Sequence, residues 1–146
     1  MTKKITQKEQ AAQLVKLMKK WQKIEKKTVE ITEKIGSDSD NPLIQLIMEI
    51  IKNDSIMHER VQQFIIDSYT KKAVSLTPEE LGAIWDSISK HSEMEKETIE
   101  IGEEAKRNCK SFVQLNLLTY LLEDEKKHDR ILSQLEGFKS RIYPYM

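Results

Sequence analysis

Only three histidines occur in the 146 residues, and two of them, His58 and His128, stand 70 positions apart. His128 ends the run Glu125-Lys126-Lys127-His128, which on a helix sets a carboxylate and an imidazole one turn apart on one face. Glu25 and Glu95 are separated by the same 70 residues. Carboxylates and imidazoles that project from helices into a common seam have two chemical outlets. They bind a divalent cation, with carboxylates bridging and imidazoles completing the coordination, or they hydrogen-bond to one another in a metal-free polar layer. A buried carboxylate with neither outlet costs several kcal/mol.

The shared spacing belongs to a longer repeat. Residues 24–33, IEKKTVEITE, lie over residues 94–103, MEKETIEIGE, with six of ten positions identical. The same shift, without a gap, sets Asp54-Ser55-Ile56-Met57-His58-Glu59-Arg60 over Asp124-Glu125-Lys126-Lys127-His128-Asp129-Arg130. Two matches at one offset indicate two homologous helical hairpins, residues 1–70 and 71–146, too small to be independent domains and read as one domain over 1–146.

The elements that carry these residues are all helices. Four Gly and three Pro among 146 residues leave few turns, and the Lys, Glu, Ile and Leu content favours helix. A first helix is predicted from about Thr6 to Ile35, ended by Gly36 as its C-terminal cap. Asn41 then caps a second helix that opens on Pro42 and reaches about Tyr69. Thr77-Pro78-Glu79-Glu80 is the capping box of a third, running to about Lys106. A fourth starts near Ser111 and frays before Pro144. The fold class expected is an all-α four-helix bundle of two duplicated hairpins, ferritin-like or up-down-up-down. An unbroken helix from Pro78 favours the up-down-up-down order, since the link from Tyr69 to Thr77 reaches only about 25 Å. A ferritin-type crossover would require a new helix to open at Ser92.

Heptad spacing predicts what faces inward. In helix 1 the series is Leu14, Met18, Trp21, Glu25, Thr28, Thr32 and Ile35, and in helix 3 it is Ile84, Ile88, His91, Glu95, Thr98, Gly102 and Ala105. Helix 2 contributes Ile47, Ile51, Asp54, His58, Val61 and Ile65, and helix 4 Leu118, Leu121, Glu125, His128, Leu132 and Leu135. Each helix thus directs an ionisable group to the centre. His91 aligns with Trp21 and is read as an interface residue; Trp21, Trp85 and the six methionines are read as core packing.

This constellation resembles the ferritin-like di-iron carboxylate superfamily, rubrerythrins and bacterioferritins included, in which two helices each supply a Glu and two supply a Glu-x-x-His. The resemblance implies metal ligation by Glu25, Glu95, Glu125, His58 and His128, with Ser55 standing where a second Glu-x-x-His would begin. Asp54, which shares a face with His58, either restores the missing carboxylate or, like Asp124, lies outside the ligand sphere and orients a histidine. The implied cofactor is iron, with manganese or zinc as substitutes, as one or two ions. The implied chemistry is that of an iron-dependent oxidoreductase acting on oxygen or peroxide, and without rubredoxin-type cysteines its electron donor must be external.

Composition narrows the remaining classes. The 24 basic and 24 acidic side chains cancel, which argues against nucleic acid as a partner. They are unevenly placed: residues 1–35 hold ten Lys against four Glu, a pattern suited to oppositely charged helix faces side by side. Cys109 is the only cysteine, so there is no intramolecular disulfide and no four-cysteine metal site. No apolar run suits a membrane span and the first residues lack a signal-peptide core, so the expected location is cytoplasmic. A homodimer is left open. The alternative function is a non-catalytic helical interaction module with a metal-free polar core, and a one-residue error in register would turn any of these groups outward by about 100°.

Overall fold

The computed structural model describes residues 4–142. They form four helices, α1 (Gln7–Asp38), α2 (Pro42–Thr70), α3 (Pro78–Asn108) and α4 (Phe112–Ile142), with no strand among the described residues. The expected all-α class is therefore observed. No described helix is long and apolar enough to cross a membrane. The chain divides into two compact units, Met1–Val74 and Ser75–Met146. The first contains the α1–α2 hairpin and the second the α3–α4 hairpin, and each is described in its own right.

The helix starts follow from capping chemistry. Thr6 and Thr77 each accept a hydrogen bond from the backbone N–H three residues on, while Glu9 and Glu80 reach back to the cap backbone. Asn41 Oδ1 accepts from Leu43 N at 2.9 Å, and Pro42 occupies the first turn, where its missing N–H leaves no bond unmade. The end of α1 differs from expectation. Gly36 does not cap the helix; α1 continues to Asp38, and no described glycine has positive φ. The extra turn is held by Ser37 Oγ donating to Glu33 O at 2.7 Å, and the reversal by Gln45 Nε2 donating to Ser39 O at 2.7 Å. Gly36 lies beside α2, where a Cβ would make only an ordinary contact with Met48 Cβ at 3.6 Å. Helix α3 runs unbroken through Ser92, so the helix break that a crossover would have needed is absent. The predicted fraying before Pro144 falls outside the described residues.

Within each hairpin the two helices run antiparallel, and only one strip of each is buried. On α1 this strip is Met18, Glu25 and Thr32, spaced by seven; on α2 it is Ser55, Gln62 and Ile66. The expected seam is corrected in two ways. On α1 only one of the two heptad positions faces α2, leaving Trp21 and Ile35 exposed rather than in the core. On α2 the buried strip lies one residue beyond the expected Asp54, Val61 and Ile65, and Ile47, Ile51, His58 and Val61 are exposed. The apolar residues of α2 cover a wide arc, and α1 contacts its polar edge. Gln22 Nε2 donates to Glu59 O and Gln63 Oε1, and Lys52 pairs with Glu33 at 2.8 Å.

The second hairpin is packed on the same plan. Leu81 and Glu95 of α3 and Leu122 of α4 are buried. Ile84, Thr98 and Leu121, all expected inside, are exposed. Gly102 permits the close approach at the middle of this pair: a Cβ there would stand 3.1 Å from Leu122 Cδ1. Gly82, by contrast, faces open space. Replacing Gly82 by Ala should therefore stabilise the protein by about 0.5–1 kcal/mol through helix propensity alone. Leu81→Ala should destabilise it by about 2–5 kcal/mol, because that side chain is 2% exposed. Urea denaturation followed by circular dichroism distinguishes these opposite shifts.

Candidate metal centre

The buried strip of α3 carries Glu95 into the interior of the second hairpin, 6% exposed. Helix α4 brings Glu125 and His128 against it, one turn apart on the facing side. One ligand atom from each of Glu95, Glu125 and His128 can be chosen so that all lie within 4.8 Å of one another. His128 Nδ1 is 3.6 Å from Glu95 Oε1 and 3.7 Å from Glu125 Oε2. Ligand atoms around one tetrahedral zinc-sized ion are about 3.4 Å apart, given metal–ligand bonds of about 2.1 Å. The group is thus close to the spacing that a single cation requires.

The electrostatics of this group are dominated by two adjacent carboxyls. Glu125 is pushed above the ordinary glutamate range, first by a hydrogen bond to Glu95, then by burial and by the charge of Glu95. Glu95 is held below its ordinary range, first by that same bond and then by the nearby imidazoles of His128 and His91. Of the two carboxyls, Glu125 therefore binds a proton the more readily. Glu95 Oε2 is buried and accepts no bond from an N–H or hydroxyl donor among the described residues, a state shared with Asp129 Oδ1 and with the neutral amide oxygen of Gln62. For a carboxylate this is an expensive position. A cation there would offset both carboxyl charges and give the buried carboxylate a partner, so the residues fit one.

His128 Nε2 lies 3.9 Å from Asp124 Oδ2, so the ring turns one nitrogen toward the carboxyl pair and the other toward an outer carboxylate. Asp124 in turn pairs with Lys127. At 3.9 Å, Asp124 is a charge neighbour of the ring rather than its hydrogen-bond partner.

In the first hairpin the corresponding residues make a smaller group. Glu25 is equally buried, at 6% exposure, and His58 Nδ1 lies 3.3 Å from Glu25 Oε1. Ser55, at the position matching Glu125, is buried and uncharged. Asp54 makes neither a hydrogen bond nor an ion pair among the described residues. Of the six residues singled out from sequence, the structure brings Glu95, Glu125 and His128 together in one hairpin and Glu25 and His58 in the other, and Asp54 joins neither group. His91, read from sequence as an interface residue, is instead a direct neighbour of the site: its Nε2 lies 2.9 Å from Glu95 Oε1. The signal was present in the i,i+4 spacing of His91 and Glu95.

No family model, curated protein or solved structure matches the chain.

The raised proton affinity of Glu125 gives a signed expectation for the metal-free protein. Its folded-state affinity exceeds that of the unfolded chain, so ionising it opposes folding once the pH passes the ordinary glutamate range. The penalty is present at neutral pH and absent in acid, where both states hold the proton. Glu125→Gln should therefore raise the melting temperature of the chelator-treated protein at pH 7, and this gain should vanish below about pH 4. Thermal melts of both proteins across that range measure it.

Proposed function

We propose that the chain binds a divalent transition-metal ion through Glu95, Glu125 and His128 of the α3–α4 hairpin. The observation that carries this reading is the buried Oε2 of Glu95, without an N–H or hydroxyl donor, beside a second carboxyl and an imidazole. Two carboxylates offset the charge of one divalent ion, and mixed oxygen and nitrogen donors suit iron, manganese or zinc. The resemblance to ferritin-like di-iron carboxylate proteins favours iron. A bound iron or manganese ion would supply one-electron redox chemistry, which is the basis of the oxidoreductase reading. The protein's own residues would hold the ion, with Glu125, whose proton affinity is raised, giving up any proton it carries. A lone cysteine leaves electron supply to an external donor.

A second reading has its own support in the first hairpin. There Glu25 already has the His58 imidazole within 3.3 Å, so this hairpin suits a metal-free polar layer. Extended to both hairpins, that arrangement describes a non-catalytic helical interaction module.

Metal content and stability separate the two. Protein purified without chelator should contain a transition metal. After removal of the metal, added Mn(II) or anaerobic Fe(II) should raise the melting temperature. At a hundredfold excess over the dissociation constant the gain is about 2.7 kcal/mol. Glu125→Ala should abolish that gain. A wild-type protein with no metal and no metal-dependent rise would leave the polar-layer reading in its place.

A further inference from the structure

The two hairpins share a common register about their turns. Helices α1 and α3 end at Asp38 and Asn108, and α2 and α4 begin at Pro42 and Phe112, each pair 70 residues apart. Each hairpin is therefore an internal control for the other. Glu25 and Glu95 occupy the same place with the same burial, and His58 and His128 match as well. Two positions near the buried glutamate differ in donor chemistry. Where the second hairpin has Glu125 the first has Ser55, and where the second has His91 the first has Trp21. At both positions it is the second hairpin that holds the strong metal donor.

His91 lies where such a donor would be needed. It stands one turn before Glu95 on α3, with Nε2 2.9 Å from Glu95 Oε1. Its side chain is 56% exposed, against 8% for Glu95, so the ring can turn without disturbing the packed strip. An ion pair with Oε1 alone does not account for the site, because Oε2 stays buried without an N–H or hydroxyl donor. Glu95 and Glu125 balance one divalent charge, and two neutral imidazoles complete a four-donor sphere without adding charge.

We propose that His91 is the fourth protein ligand of this ion, so that the α3–α4 hairpin alone provides a one-metal site of two carboxylates and two imidazoles. The proposal rests on the metal-binding reading above and extends it. His91 lies outside the 4.8 Å group of the other three donors, so it closes on the ion by rotation of its ring. The first hairpin, with Glu25 and His58 only, takes no ion of its own.

Cobalt(II) titration of the full chain tests this, because the intensity of its visible absorption reports coordination number and its position reports donor type. Wild type should bind one Co(II) per chain with the strong band of a four-coordinate site. His91→Ala should weaken binding by at least about tenfold and reduce and shift the band as water replaces nitrogen. Circular dichroism of the metal-free variant checks that its helices are intact. An unchanged affinity and spectrum in His91→Ala would overturn the fourth-ligand assignment while leaving the three-residue metal site intact. Weakened binding with an unchanged spectrum would make His91 a positioning residue for Glu95 and would also overturn it. Two Co(II) per wild-type chain would overturn the one-metal count. Wild type that takes up no Co(II) would overturn the underlying metal reading itself.

Discussion

A carboxylate placed in the contact strip between two helices is the constraint around which the second hairpin is organised. Glu95 lies on the strip of α3 that also buries Leu81, where helix packing would ordinarily place an apolar side chain. Its neighbours address that single problem. Two imidazoles approach Oε1, Glu125 beside it has a raised proton affinity, and Gly102 lets Leu122 close in one heptad further along α3. Neither imidazole reaches Oε2, which is buried without an N–H or hydroxyl donor among the described residues. A buried carboxylate oxygen in that state is costly unless a water or a ligand meets it.

The first hairpin places the same buried glutamate in different surroundings. Glu25 is as deeply buried as Glu95, but its facing helix carries Ser55 instead of a second carboxyl. There is consequently no like-charge pair to relieve, and one imidazole suffices. Much of the remaining strip, Thr32, Ser55 and Gln62, is polar and uncharged, and the Thr32 hydroxyl is spent on its own helix, donating to Thr28 O and Val29 O. The two halves thus keep a common backbone plan while their interiors diverge, one toward neutral polar packing and the other toward concentrated negative charge.

Local chemistry was readily legible in the sequence. Thr77, Pro78 and Glu80 announce a helix start through bonds made within three residues, and Asn41-Pro42 does the same, so these positions required no knowledge of tertiary structure. Glu25, Glu95 and the Glu125–His128 pair were legible because the repeat doubled a weak signal. What escaped depends on the partner helix. Gly36 reads as a cap until Met48 is known to lie against it. The buried strip of α2 was misplaced by one residue because its isoleucines and valine span a wide arc, and only contact with α1 selects the edge that is covered. His91 was set aside because its counterpart is Trp21, although that difference between the halves is what marks it as chemically distinctive.

The central claim is that a cation occupies the space beside Glu95 Oε2. Anomalous diffraction from crystals of metal-loaded protein, collected on either side of the absorption edge of the added metal, addresses it directly. The expected result is one anomalous peak in the α3–α4 hairpin, about 2.1 Å from donor atoms of Glu95, Glu125 and His128. A hairpin with no peak there, and with Glu95 Oε2 hydrogen-bonded to an ordered water, would contradict the account.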